Sequence, residues 1–228
     1  DVREKNGNTA LIIAAGYGHT ECLKLLLDAK ADIAAIENYG HTASIVAAAF
    51  GRTGCLQLLL DANADINAID NHGFTALIVA AFNGHSGCLQ LLLDTKADIN
   101  AIDNYGSSAL IVAAGHGHTE CLQLLIAAKA DLDVANRKGG TASLLAAGRG
   151  QTECLRLLLD AKADINTMDA FGSSALIMAA DHGHTGCLQL LLDAKADIGA
   201  AYKDGDTALI IATGWGHAEC LKLLLHAK

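Results

Sequence analysis

The sequence predicts a mainly helical solenoid, all-α apart from short β-hairpin fingers, built of stacked turn-helix-turn-helix units. Three observations predict it. Seven cysteines stand at 22, 55, 88, 121, 154, 187 and 220, a constant interval of 33 with no insertion. Two glycine series, from Gly7 to Gly205 and from Gly18 to Gly216, keep the same interval. Proline is absent, and aromatic residues make up 4% of the chain against 52% hydrophobic residues, so the core is built from small and aliphatic helix formers. A period this strict reads as repeats that bury their apolar faces only by stacking on one another.

Each unit opens with a charged or turn-forming stretch ending in Gly, as in Asp103-Asn104-Tyr105-Gly106. Glycine takes positive φ without penalty, so this is a tight turn at a hairpin tip. Ser or Thr follows (Thr9, Thr42, Thr75, Ser108, Thr141, Ser174, Thr207), the chemistry of a helix N-cap. The first helix is a short apolar run such as ALIVAA, and Gly117 and its equivalents stop it. The second runs through TECLQLLIAAK, whose Cys121, Leu122, Leu124 and Leu125 lie at helical spacing on one apolar face.

The whole pattern, NG-T-A-L-I-x-A-A-x-x-G-H-x-x-C-L-x-L-L-L-D-A-K-A-D-I-N-A, is similar to the ankyrin repeat. The likeness lies in the period, the Thr-x-Leu-x-x-Ala-Ala helix, Gly-His, Leu-Leu-Leu and Ala-Asp-Ile-Asn. The resemblance covers the chain and implies a single ankyrin-repeat domain over 1–228, with repeats at about 4–36, 37–69, 70–102, 103–135, 136–168, 169–201 and 202–228. Two departures stand out. The family's Thr-Pro-Leu-His segment carries Ala10 and Ile12, Ala76 and Ile78, or Ala109 and Ile111 in place of Pro and His, which exchanges a polar network for aliphatic packing. The family's helix-ending Gly is replaced by Lys30, Asn63, Lys96, Lys129, Lys162 and Lys195. If the left-handed conformation is kept there, each Lys costs about 1–2 kcal/mol, offset in part by the roughly 0.3–1 kcal/mol of a cation at a helix C-terminus. Positive φ is expected at all six.

A longer period is also visible. The Leu of TAL becomes Ser44 and Ser143, and the Gly-His histidine becomes Arg52 and Gln151, in the same two units 99 residues apart. A duplicated three-repeat block accounts for this, and the two units with Ser in place of a core Leu are expected to be locally weaker.

The stretch Gly115-His116-Gly117-His118-Thr119-Glu120-Cys121 has the palette of a zinc site or thiol nucleophile, but most of it is repeated framework. Neighbouring helices pack about 8–10 Å apart, too far for equivalent cysteines to pair, so each Cys is expected to be a small buried hydrophobe. His19, His85, His118, His184 and His217 occupy the Gly-His position, which the resemblance assigns to bracing between units. His116 and His182 lie two repeats apart and cannot share a metal. No catalytic residue, cofactor or metal site is expected, and no nucleophile elbow or phosphate-cradling loop is present.

Variation among the copies concentrates elsewhere. The residue before the hairpin Gly runs Asn6, Tyr39, His72, Tyr105, Lys138, Phe171, Asp204, and the residue after it includes His41 and Phe74. The pair before Gly-His includes Tyr17, Phe50, Phe82, His116, Arg149, Asp181, His182 and Trp215. In the ankyrin family these are the finger tips and the lining of the concave groove. Nearly every aromatic falls there, and aromatics with Arg dominate interface energetics. The expected function is non-catalytic binding of a protein or peptide partner, with a structural spacer within a larger protein as the alternative.

A net charge of −9 without a Lys/Arg cluster argues against nucleic acid, and apolar runs such as 43–50 and 142–147 are too short to span a bilayer. Seven thiols point to a reducing compartment such as the cytoplasm. The apolar framework of the terminal repeats (Ile12 and Ile13; Ile210, Ile211, Cys220 and Leu221) lacks polar caps, so flanking repeats or end-to-end self-association is expected. The absent initiator Met is read as the mark of a fragment. The resemblance also makes Asn67, Asn100 and Asn166 candidate hydroxylation sites.

Overall fold

The computed structural model describes residues 3–227, which form two compact units, unit 1 up to Ala109 and unit 2 from Leu110 onward. Unit 1 holds three helix pairs: α1 (Ala10–Tyr17) with α2 (Thr20–Asp28), α3 (Ala43–Ala49) with α4 (Thr53–Asp61), and α5 (Ala76–Asn83) with α6 (Ser86–Asp94). The boundary falls at the start of α7 (Ala109–His116), which pairs in sequence with α8 (Thr119–Ala127). Unit 2 continues with α9 (Ala142–Gly148) and α10 (Thr152–Asp160), α11 (Ala175–Asp181) and α12 (Thr185–Asp193), then α13 (Ala208–Gly214) and α14 (Ala218–His226).

Within each unit like helices stack on like. The layer α1, α3, α5 lies beside the layer α2, α4, α6, and α9, α11, α13 lie beside α8, α10, α12, α14. The first helices are apolar almost all round because both flanks are covered: Ala76, Leu77, Ile78, Ala80 and Ala81 of α5 are all buried. The small Ala pairs let successive helices approach closely. The second helices are amphipathic, with Cys154, Leu155 and Leu158 of α10 buried and Glu153, Arg156 and Asp160 outside.

The local signals behave as their chemistry requires. Thr9, Thr42, Thr75, Thr141 and Ser174 accept a hydrogen bond from the N–H three residues on. Thr207 has the extended cap backbone without the side-chain bond. All six residues after the second helices have positive φ, from 61° at Lys195 to 70° at Lys162. Two bonds hold the reversal: Lys30 N–H to Leu27 O (2.9 Å) and Ala31 N–H to Leu26 O (3.0 Å), the pair that satisfies the last carbonyls of a helix.

The fingers are tight turns closed by single bridges rather than ladders. Unit 1 has antiparallel bridges Arg3–Thr9, Ile36–Thr42, Ile69–Thr75 and Ile102–Ser108; unit 2 has Ala201–Thr207 among the described residues. In fingers two to four a buried carboxylate, Glu37, Asp70 or Asp103, organises the turn in place of a ladder, as where Asp70 Oδ1 accepts from His72 N (2.7 Å) and Phe74 N (2.8 Å). In unit 2 the half-buried side-chain oxygens of Asn136 and Asp169 accept the equivalent pair of backbone N–H groups. In unit 1 the fingers are also strung together by asparagines: Asn71 gives its N–H to Tyr39 O (3.0 Å) and its Nδ2 to Asn38 O (3.2 Å).

Bracing between repeats is real and takes more than one form. His85 Nε2–H donates to Ala49 O and His217 Nε2–H to Asp181 O, both at 3.0 Å. Arg52 does the same work in repeat two, its Nε donating to Gly16 O at 3.1 Å. The brace also fixes the glycine beneath it. Gly150 has φ +71°, and a Cβ there would stand 2.7 Å from His184 Nδ1.

One expectation needs correcting. Six cysteines are buried, but Cys22 is exposed. No helix among the described residues lies on the outer side of α2, so the faces that its counterparts cover stay open. For the same reason Leu25 is 68% exposed, and at the other end Ile210 is 50% exposed where Ile45, Ile78 and Ile177 are buried.

Candidate functional site

In unit 1 the two variable registers meet in one open cleft of about 660 Å³. Its floor is aliphatic, from Ile12, Ile13, Val46, Ala49 and Val79, and Tyr17, Phe50 and Phe82 stand along one rim. These rings come from the C-terminal ends of α1, α3 and α5. Their faces are open to solvent: Tyr17 is 69%, Phe50 58% and Phe82 44% exposed. Gly16 leaves room for the floor, since a Cβ there would lie 3.0 Å from Val46 Cγ1 but would meet the Phe50 ring only at an ordinary 3.9 Å.

The opposite wall is made by the fingers, with Asn8, His41 and Phe74. His41 is clamped between two buried carboxylates, Nδ1 lying 2.9 Å from Glu37 Oε1 and Nε2 3.2 Å from Asp70 Oδ2. Asp70 Oδ2 has no other partner among the described residues. The two contacts place the His41 ring between finger two and finger three beside the cleft.

Unit 2 presents the same registers with different chemistry. Arg149, exposed at the end of α9, donates through Nη1 to Gly115 O (3.3 Å) and to His116 Nε2 (3.2 Å). His116 in turn donates from Nδ1 to Val112 O at 2.8 Å, which fixes its tautomer. Trp215 follows α13 and donates its indole N–H to Asp181 Oδ1 at 2.7 Å, leaving the ring itself exposed. His182 lies beside Asp181 (3.8 Å) and stacks on His184. At the finger tips Lys138, Phe171 and Asp204 are all exposed.

The sequence-derived residues therefore separate by place. Tyr17, Phe50, Phe74 and Phe82 line the unit 1 cleft, whereas Tyr39, His72 and Tyr105 stand exposed at finger tips outside its lining. Tyr39 and His72 lean on the rings two residues on, at centroid distances of 6.1 Å each. Reasoning from variation missed the floor, because Ile13, Val46 and Val79 look like framework yet are only half-buried. It also missed the His41 clamp, which depends on contacts 29 residues apart in sequence.

Five of the buried thiols are chemically quiet. Burial, reinforced by the neighbouring Glu120, pushes Cys121 up to about 11, and burial with Glu153 does the same to Cys154. Burial also raises Cys55, Cys88 and Cys187. A thiol so held is protonated at neutral pH and is a poor nucleophile. Among the described residues no group of three or more His, Cys, Asp or Glu is placed to hold a metal ion. None of their helices is long and apolar enough to cross a membrane. Asn67 and Asn166 serve structure: Asn67 Oδ1 accepts from Asp98 N (2.9 Å) and Asn166 Oδ1 from Asp197 N (3.1 Å), each tying one loop to the next.

Comparison with known proteins agrees with this architecture. A family model described as ankyrin repeats (3 copies) matches residues 1–70, 36–103, 68–136 and 143–228. No curated protein sequence matches the chain. Among solved structures, the ankyrin repeat domain of Bcl-3, described as a unique member of the IkappaB protein family, superposes with a TM-score of 0.82 at 27% identity. That match covers 97% of this chain and 100% of the other. The human ASB11 ankyrin repeat domain gives a TM-score of 0.86 at 23% identity, covering 97% and 98%.

Proposed function

Because the chain belongs to the ankyrin repeat family, whose domains generally mediate protein–protein interaction, we propose that it is a non-catalytic binding module whose partner docks on the groove-side surfaces of its units. The observation that carries this reading is the unit 1 cleft, an aliphatic trough rimmed by three exposed rings. Exposed aromatics bordering a concave apolar surface are the usual anchors of an interface. The finger tips Tyr39, His72 and Tyr105, and in unit 2 Lys138, Phe171, Asp204, His116, Arg149, Asp181, His182 and Trp215, supply further contacts. The partner is a protein or peptide rather than nucleic acid, in keeping with the net charge of −9.

The test is affinity capture from the source cell, followed by titration calorimetry with the captured partner, using the native chain and a Phe50→Ala, Phe82→Ala variant. Loss of two rim anchors is expected to weaken binding by roughly thirtyfold or more while leaving the circular dichroism spectrum unchanged. Equal affinity of the two chains would remove the cleft from the interface, and a native chain that captures nothing selectively would be a spacer. The open end faces at Leu25 and Ile210 support a second contact, end-to-end association of two copies, since each offers surfaces that pack repeat on repeat inside the chain.

A further inference from the structure

The charges on the groove side of unit 2 are sorted along the repeats. The fifth repeat contributes Arg137, Lys138 and Arg149. The sixth contributes exposed Phe171, with half-buried Met178 in α11 and the Asp181 that holds Trp215, and the seventh contributes Asp204, Asp206 and the Trp215 ring against one cation, Lys203. Lys138, Arg149, Asp204 and Asp206 take part in no ion pair among the described residues. Their charges are therefore unspent within the fold.

The surface is also built rather than merely decorated. Arg149 is anchored on Gly115 O and His116, and Trp215 on Asp181. The half-buried Tyr202 of the last finger hydrogen-bonds Ser173 and lies close enough to Asp181 and Asp169 to feel both charges. Finger seven is thus held to finger six. Groups fixed in this way lose little further freedom when a ligand arrives.

We propose that this face of unit 2 recognises an extended peptide segment with opposed charges. Its acidic side chain lies over the fifth repeat, an apolar one over the sixth and a basic one over the seventh. The spacing follows from the stack. Successive helices pack about 8–10 Å apart, and three residues of extended chain span about 10 Å, so one side chain in three meets each repeat. The matching frame is Glu-x-x-Leu-x-x-Arg or its reverse, since an extended chain can lie in either direction. Complementary potentials set register and reject like-charged competitors more than they add affinity, so discrimination is the property to measure.

This deepens the protein-binding reading and rests on it. Trp215 is the only tryptophan in the chain, so its emission reports on unit 2 alone. The probes are three blocked heptapeptides, Glu-Ser-Ser-Leu-Ser-Ser-Arg and the same frame with Glu or with Arg at both ends, titrated at low ionic strength. The mixed peptide is expected to bind the native chain about five- to thirtyfold more tightly than either single-sign peptide, the worth of one or two exposed charge pairs. A Lys138→Glu, Arg149→Glu chain is expected to turn its preference to the peptide with Arg at both ends. An Asp204→Lys, Asp206→Lys chain is expected to turn to the peptide with Glu at both ends. Equal binding of the three peptides, an unchanged preference in both variants, or no response of Trp215 to any of them overturns the inference. The Phe50 and Phe82 measurement reads unit 1, so these failures leave the broader reading to stand or fall separately.

Discussion

Ser143 occupies a position where other repeats carry a core leucine. Leu11, Leu77, Leu110 and Leu176 are all buried there, and Ser143 is 1% exposed with its Oγ unpartnered among the described residues. A buried hydroxyl without a partner costs about 1–3 kcal/mol, and Ala is the better helix former by a few tenths. Ser143→Ala removes the hydroxyl without adding volume, so it separates the polar penalty from any repacking that Ser143→Leu would force. The expected gain is about 1–3 kcal/mol, or at least 2 °C in Tm for a chain of this size.

Ser44 is the internal control. It fills the same position in repeat two and is also buried, but its hydroxyl is not orphaned in this way. Ser44→Ala is expected to gain no more than the few tenths of kcal/mol from helix propensity. The assay is urea unfolding followed at 222 nm, with hydrogen exchange over residues 142–160 because repeat arrays need not unfold as one body. A Ser143→Ala chain no more stable than the native one would refute the argument. So would an equal gain from Ser44→Ala.

Other outcomes follow from the same geometry. A thiol reagent at neutral pH is expected to modify Cys22 rapidly and the six buried cysteines only on unfolding, so more than one fast thiol would contradict the packing. Burial lifts Cys121 and Cys154 from about 9 to about 11. Their folded values exceed the unfolded ones, so the stability they contribute is complete below pH 9 and is lost as pH rises toward 11, by about 1.4 kcal/mol per pH unit for each thiol. Urea midpoints of native and Cys121→Ala, Cys154→Ala chains between pH 8 and pH 10.5 check this, the variant showing the shallower decline. Gly150→Ala and Gly216→Ala both force a side chain into positive φ, at about 1–2 kcal/mol, but only the first also meets a neighbouring brace, the second having nothing within 4 Å. Gly150→Ala is therefore expected to cost more in thermal unfolding, and equal losses would remove the brace contact from the account. End-to-end association is expected to show as concentration-dependent sedimentation that Leu25→Lys abolishes.

The fold was legible because the period does the work that propensity alone cannot. An interval of 33 with caps and glycines at fixed offsets locates every helix, and it also exposes the strained lysines, since a residue standing in the place of a helix-ending Gly inherits its backbone. Positive φ at Lys30 through Lys195 follows from that inheritance rather than from any preference of lysine. What a period cannot show is how a side chain meets the next copy. Cys22 and Cys55 are alike in sequence, yet only Cys55 has a preceding repeat beside it to cover its thiol. The candidate site follows the same division: the rings were readable as variation, whereas the half-open floor of Ile13, Val46 and Val79 was hidden among framework positions.

Repeats two and five carry this furthest. Their shared departures, Ser44 with Arg52 and Ser143 with Gln151, read as one event copied at a distance of 99 residues. The structure solves the loss of the bracing histidine differently in each. Arg52 reaches Gly16 O itself, whereas Gln151 packs over Gly117 without a side-chain hydrogen bond among the described residues, and the carbonyl of Gly115 is served instead by Arg149 from two residues earlier. A carbonyl facing the next repeat can thus be met by whichever long donor lies within reach. That is why the brace survives two substitutions, whereas Ser143 leaves a buried hydroxyl without a partner among the described residues. Arg149 carries the brace and a free outward face at once, so the residue that repairs the stack in repeat five is also the cation that a partner would meet there.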